Sequence, residues 1–218
     1  WLLTARGARP EEITAVTFTR AAAAELRARV EAALGKQTAA ALTIGTFHAV
    51  CQAVLPAKPL VGRAEALALA EEAAAEVGER LRPQAALQAI SRAKSNQKDS
   101  PLRAAYDRRL HGLGLRDLDD LLLDALAQPC AQDRRFTHLL ADEFQDVNPL
   151  QRALTLHWAK EGGTLFVIGD PDQSIYGFRG ASAACFAELQ KARPGLVTLP
   201  LSANYRSTPQ ILSCALAA

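Results

Sequence analysis

The sequence has no methionine and no excess of charge of either sign: 25 Lys and Arg stand against 23 Asp and Glu, a net charge of +2. That balance excludes an overall basic field of the kind that announces nucleic-acid binding, so any such binding needs a local groove. Only four cysteines occur, Cys51, Cys130, Cys185 and Cys214. They are too far apart in sequence for metal-ligand spacing and read as reduced thiols of a cytosolic-type protein. No apolar run approaches the roughly 20 residues of a membrane span, and no signal peptide is visible. A cytoplasmic location without a membrane partner is therefore expected. Internal repeats and low-complexity tracts are also missing, apart from an alanine bias. The richness in Ala and Arg points to a GC-rich coding sequence, which accounts in part for the absent methionine. The chain starts at Trp1 and stops within an expected helix after Ile211, so it reads as a piece of a longer polypeptide.

What is present is ample core material. Hydrophobic residues make up 49% and charged residues 22% of 218 residues, which fits one large domain or one domain with an insertion. Strand candidates at residues 13–18, 42–46, 139–141, 165–168 and 196–199 alternate with helical stretches at 20–34, 47–55, 117–127, 149–160 and 182–192, and one from Thr208. Alternation of this kind predicts an α/β fold with a parallel, doubly wound sheet. From 61 to 115 the strand signals vanish. Helices are expected there at 65–77, 83–94 and 101–110, with a polar loop at 95–100. The predicted organisation is an α/β domain (1–60 and 116–218) interrupted by an all-helical inserted subdomain (61–115).

Three stretches carry chemistry. In His138-Leu139-Leu140-Ala141-Asp142-Glu143-Phe144-Gln145-Asp146 an apolar run ends in two adjacent carboxylates. A short apolar run without polar alternation predicts a strand buried on both faces, and ligands of parallel sheets bind beyond the carboxyl ends of strands. Successive strand residues point to opposite faces, so Asp142 and Glu143 can divide the work. One suits Mg²⁺, a hard cation that prefers oxygen ligands. The other suits a water that it orients and deprotonates, as nucleoside triphosphate hydrolysis needs.

The second stretch runs from Ile168 through Gly169, Asp170, Pro171, Asp172, Gln173, Ser174, Ile175, Tyr176, Gly177, Phe178 and Arg179 to Ala181, again after an apolar strand. The Gln173 amide both donates and accepts, which suits a phosphate and a water together. Tyr176, Phe178 and Arg179 form an aromatic-plus-cation cluster. Such rings either stack on bases, with Arg on a phosphate, or plug the loop. The third stretch, Leu201-Ser202-Ala203-Asn204-Tyr205-Arg206-Ser207, places Arg206 before a helix. It reads as an arginine finger or as a member of a surface ion pair.

Six motifs stand in one order: Thr17-Phe18-Thr19-Arg20-Ala21-Ala22, Gly45-Thr46-Phe47-His48, Asp117-Leu118-Asp119-Asp120-Leu121-Leu122, Asp142-Glu143-Phe144-Gln145-Asp146, the run from Gly169 to Tyr176, and Asn204-Tyr205-Arg206-Ser207. In this the chain resembles the UvrD/Rep family of superfamily 1 DNA helicases, from motif Ia through motif IV. The resemblance implies a RecA-like P-loop NTPase sheet (subdomain 1A) with a helical 1B insertion. It also implies ATP and Mg²⁺ as cofactors, single-stranded and duplex DNA as partners, and movement 3′ to 5′ in repair or recombination. By the same resemblance Asp142 serves the metal, Glu143 is the general base, Gln173 senses the γ-phosphate and Arg206 is the finger. Phe18, Tyr176 and Phe178 meet DNA bases, with Thr46, His48 and Arg179 near the backbone. Phe178 stands where many relatives have Trp, a larger stacking ring.

Two departures qualify this. No Gly-x-x-x-x-Gly-Lys-Thr phosphate loop precedes Ile13, and no motif after motif IV follows. The first removes the backbone cradle for phosphates. The chain alone is therefore expected to lack meaningful DNA-stimulated ATPase activity. Alternatives are the motor of an AddA/RecB-type helicase–nuclease and a non-hydrolysing, motor-derived DNA-binding or scaffold module.

Overall fold

The computed structural model describes residues 1–130, 132–177 and 184–216. In chain order the helices are α1 (Leu2–Ala5), α2 (Arg20–Leu34), α3 (Lys36–Ala41), α4 (Phe47–Val54), α5 (Arg63–Glu76), α6 (Pro83–Ser95), α7 (Pro101–Gly112), α8 (Leu118–Ala127), α9 (Pro149–Trp158), α10 (Cys185–Ala192) and α11 (Pro209–Leu216). The strands are β1 (Ile13–Thr17), β2 (Thr43–Thr46), β3 (His138–Ala141) and β4 (Thr164–Val167). All four are parallel, in the order β2-β1-β3-β4. No described helix is long and apolar enough to cross a membrane.

Local chemistry sets the element ends. The Thr19 side chain accepts from Ala22 N and starts α2, and Gly35, at φ +87°, ends it in a conformation that favours glycine. Reciprocal capping boxes open α8 (Asp117 with Asp120) and α9 (Asn148 with Gln151), and Pro149 sits in the first turn of α9, where it is tolerated. α3 follows Gly35 directly and was not expected, because Lys36-Gln37-Thr38 carries no helical apolar stripe.

Register places the ligand edge. Thr17 of β1 aligns with Thr46 of β2, Val16 with Ala141 of β3, and Ala141 with Val167 of β4. Phe18, Phe47, Asp142 and Ile168 thus leave the sheet along one line. β1 is buried over its whole length, and its two threonines are satisfied locally: Thr14 Oγ1 donates to Arg135 O (2.7 Å) and Thr17 Oγ1 to Thr19 O (3.0 Å). β3 is fully buried only on the Leu139 and Ala141 face; Leu140, on the other, is partly covered. β4 is barer still, with Phe166 50% and Ile168 46% exposed. Burial on both faces, expected for β3, is therefore realised in its neighbour β1.

One face of the sheet packs on α4, α8, α9 and α10, with Trp158 stacked on Phe136 (centroids 4.8 Å) and near Phe47 (6.1 Å). The other face meets Leu2 and Leu3 of α1 and Leu26 and Val30 of α2. The strand expected at 196–199 does not form. Those residues are irregular, and Val197 and Leu199 are 80% and 76% exposed. Among the described residues no neighbouring strand offers them a ladder, and an apolar run alone does not make a strand.

Helices α5, α6 and α7 build a core of their own from Leu69, Ala70, Ala73, Ile90, Leu102, Tyr106 and Leu110. The chain enters and leaves this trio at one point, where Val61 N donates to Arg116 O (2.9 Å) and Arg116 N to Pro59 O (3.1 Å). A buried charge joins the trio to α8. Lys94, at 0% exposure, lies 2.8 Å from Asp107 of α7, 2.8 Å from Asp117 and 2.6 Å from Asp120. Burial opposes its charge, but Asp117 and Asp120 outweigh that and hold the ammonium well above its usual pKa. Asp107, His111 and Asp120 have the spacing of a metal site. The Lys94 ammonium already supplies the cation against these carboxylates.

Candidate nucleotide and nucleic-acid site

β3 stops at Ala141, and Asp142 N still donates to Val16 O across the ladder (3.0 Å). Glu143 then adopts a left-handed conformation, φ +51° and ψ +46°, which costs a side-chain-bearing residue about 1–3 kcal/mol. The two acids therefore do not follow the pleat as expected. Their directions come from a turn in which Asp142 Oδ1 accepts from Glu143 N (3.0 Å). Asp142 is half-buried and Glu143 exposed. Each keeps a carboxylate oxygen that no described side chain engages, and such hard oxygen donors fit Mg²⁺.

Gln173 reaches the same edge from the loop after β4. It is exposed, and its Nε2 donates to Asp170 Oδ2 (2.8 Å), leaving the amide oxygen available. Arg206 lies in an exposed turn where Asn204 Oδ1 accepts from Arg206 N (3.0 Å) and Ser207 N (2.8 Å). Among the described residues its guanidinium has no ion pair, and nothing brings it to Asp142 or Glu143.

Four of the expected DNA residues meet in one place. Phe18, Thr46, His48 and Tyr176 line a single cleft of about 530 Å³. The Phe18 and Tyr176 rings pack against each other, centroids 4.9 Å apart and tilted by 38°, and both are half-buried. Phe178 and Arg179 lie outside the described residues. The Thr46 hydroxyl also caps α4 by accepting from Ala49 N (3.3 Å). His48 is held below its ordinary pKa by burial and by the neighbouring Arg20 charge, so it is a neutral hydrogen-bonding group at pH 7.

Several residues of the cleft escaped sequence reasoning. Ser91 of the helical trio reaches it, as do Asp119, Asn148 and Gln151. Burial pushes the Asp119 carboxyl up to about 6 against a hydrogen bond from Ser91, with Asp117 adding to the rise. Asp119 stood within a quoted motif, but nothing in that motif distinguished it from its neighbours. Asp146, also on the cleft, is raised by burial and then by Glu143. Gln145 was missed as well. It is 1% exposed, and its Nε2 donates to Glu143 Oε2 (2.7 Å) while its Oε1 accepts from Asp170 N (3.0 Å).

Known proteins match this sequence. The family model described as the UvrD/REP helicase N-terminal domain matches residues 1–72 and 62–194. The chain is 32% identical to ATP-dependent DNA helicase UvrD1 of Mycobacterium leprae (strain TN), covering 99% of this chain and 34% of that protein. It is 32% identical to DNA helicase II of Escherichia coli (strain K12), over 99% of this chain and 35% of that protein. It is 30% identical to ATP-dependent DNA helicase srs2 of Schizosaccharomyces pombe (strain 972 / ATCC 24843), over 94% of this chain and 29% of that protein. The chain thus spans about a third of the length of these relatives. With its parallel sheet, its strand-edge acids and a family match over most of its length, the chain belongs to the UvrD/REP helicase N-terminal domain family.

Proposed function

We propose that this chain is the part of an ATP-dependent DNA helicase or translocase that carries the hydrolytic acids and a single-strand DNA groove, acting in repair or recombination, with movement 3′ to 5′. The observation that carries this reading is a shared edge: the Asp142–Glu143 turn and the Phe18–Tyr176 cleft leave the sheet along one line of strand ends. Residues 61–115 act as an inserted 1B-like subdomain, and 1–60 with 116–218 as the 1A-like body. Asp142 is the residue for Mg²⁺, which when bound neutralises phosphate charge. Glu143 orients a water and takes its proton. Gln173 offers an amide to the γ-phosphate. Arg206, beyond the residues that the family model matches, meets the nucleotide only when a facing domain closes. Phe18 and Tyr176 stack on bases without reading sequence, while Thr46 and neutral His48 hydrogen-bond the backbone. Phe178 and Arg179, outside the described residues, are DNA contacts by the family resemblance alone. The chain alone, without a phosphate cradle, hydrolyses ATP negligibly.

The test is ATP hydrolysis stimulated by single-stranded DNA in the chain extended to the length of its relatives. Glu143→Gln should keep ATP binding and lose turnover by about 10²- to 10⁴-fold, the usual cost of removing a general base. Full turnover in that variant removes the proposal. A non-hydrolysing scaffold would show no turnover in the parent either.

A further inference from the structure

Resting on that functional reading, we infer that Gln145 is a positioning residue that ties the hydrolytic acid to the loop carrying the phosphate-sensing and DNA-stacking groups. An unbroken hydrogen-bonded path runs through it. Gln145 Nε2 donates to Glu143 Oε2 (2.7 Å), Asp170 N donates to Gln145 Oε1 (3.0 Å), and Gln173 Nε2 donates to Asp170 Oδ2 (2.8 Å). A second tie comes from the same loop, where Ser174 Oγ donates to Gln145 O (3.2 Å). Two residues beyond Ser174, Tyr176 packs on Phe18.

The geometry leaves Gln145 little alternative. It is 1% exposed, so its amide cannot turn to water without loss. A Cβ on Gly169 would fall 2.8 Å from Phe186 Cζ and 3.0 Å from Phe144 N, and closer still to Gln145 Oε1. The glycine is what lets the β4 loop lie against the amide. Glu143 is exposed, so packing does not fix its carboxylate. Gln145 supplies that restraint, and the same amide senses where Asp170 sits. A shift of the loop when Tyr176 takes a base is therefore passed to the Glu143 carboxylate through two hydrogen bonds. A glutamine suits this because its amide donates on one side and accepts on the other.

The experiment uses the full-length protein, with hydrolysis measured with and without oligo(dT). Gln145→Leu keeps side-chain bulk and removes both bonds. The DNA-stimulated kcat should fall about 10- to 100-fold, the loss expected from misplacing a reacting group by a fraction of an ångström to an ångström. KM for ATP and Kd for oligo(dT) should each move less than about threefold, because binding is left in place. Gly169→Ala, at an exposed loop position, drives a methyl against Gln145 Oε1 and so disturbs the Asp170–Gln145 bond from the loop side, and should give the same kcat-only loss. A normal DNA-stimulated kcat in Gly169→Ala, or in a folded Gln145→Leu, overturns the inference. Glu143→Gln in the same assay separates the two levels. If it abolishes turnover while the path variants do not, only the relay fails; if it too leaves turnover intact, the underlying functional reading fails.

Discussion

Two regions of this molecule concentrate carboxylates, and they are built on opposite principles. At the joint between the helical trio and α8, one ammonium lies within 2.8 Å of three carboxylates, out of contact with water. At the strand edge, Asp142 and Glu143 stand half-buried and exposed, held by single hydrogen bonds and a left-handed turn. A search for strongly perturbed titrating groups leads to the joint, where Lys94 and Tyr106 both lie well above their ordinary values. The order of motifs leads to the edge. The difference teaches that perturbation measures how much a fold has enclosed a charge. The site proposed at the edge keeps its acids open, as access for nucleotide and water requires.

The sharpest way to break that comparison is to remove the charge at each place. Lys94→Met should destabilise the folded chain by about 3–5 kcal/mol, because it strands carboxylates in a place shaped around a cation. Glu143→Gln should leave the melting temperature within a few degrees. Thermal melting of both variants tests the pair, and equal shifts would erase the distinction. A smaller effect is expected in the cleft. Tyr176→Ala and Phe18→Ala should each weaken oligo(dT) binding by about 1–3 kcal/mol, read by fluorescence anisotropy, with little change in melting. A large drop in melting with unchanged binding would make the Phe18–Tyr176 pair a core plug.

The smallest effect sharpens the role of pH. Asp119 titrates near 6, above an ordinary aspartate. Between pH 7 and pH 5.5 it takes up a proton, the cleft loses a negative charge, and oligo(dT) binding should tighten by about two- to fivefold, the scale of one partly screened charge. The neighbouring groups on the cleft are Arg20, His48 and Asp146. His48, held low, gains charge only toward the acid end. Asp146 is raised in the same direction, by burial and then by Glu143. Asp119→Asn should flatten the dependence. An unchanged profile in that variant would assign the titration to His48 or Asp146. For folding the sign is reversed from that of a salt-bridged acid: the raised Asp119 stabilises the chain most below pH 4, and that contribution is lost as pH rises through 6.

Much of this was legible because local rules decide it. The bounds of α2 follow from Thr19 and Gly35, and β1, β2 and the strand-edge acids follow from apolar runs that end abruptly. Phe18, Thr46, His48 and Tyr176 come from three distant stretches that the family resemblance named, and the fold brings them to one cleft. The failures share a cause, which is partnership across the fold. Residues 196–199 look like a strand but have no ladder among the described residues. Lys94 looks like the polar end of a helix, and only the fold places Asp107, Asp117 and Asp120 around it. Gln145 sits inside a quoted motif, but its work depends on Asp170, twenty-five positions on. No pattern of residue types encodes that distance.

The meeting of chain entry and exit at Leu60 and Arg116 has a consequence for how such a protein can change. A segment whose two ends lie side by side is a cassette. In purely geometric terms a tight turn could replace it, and the sheet would not notice. The cassette is nevertheless not interchangeable, because Lys94 travels with it while Asp117 and Asp120 stay behind. Any substitute helical unit must bring its own cation to the same spot, or the body must lose its acids at the same time. Swapping the segment between relatives is thus a problem of matching one charge, and a chimera that folds will have kept it or lost the acids with it.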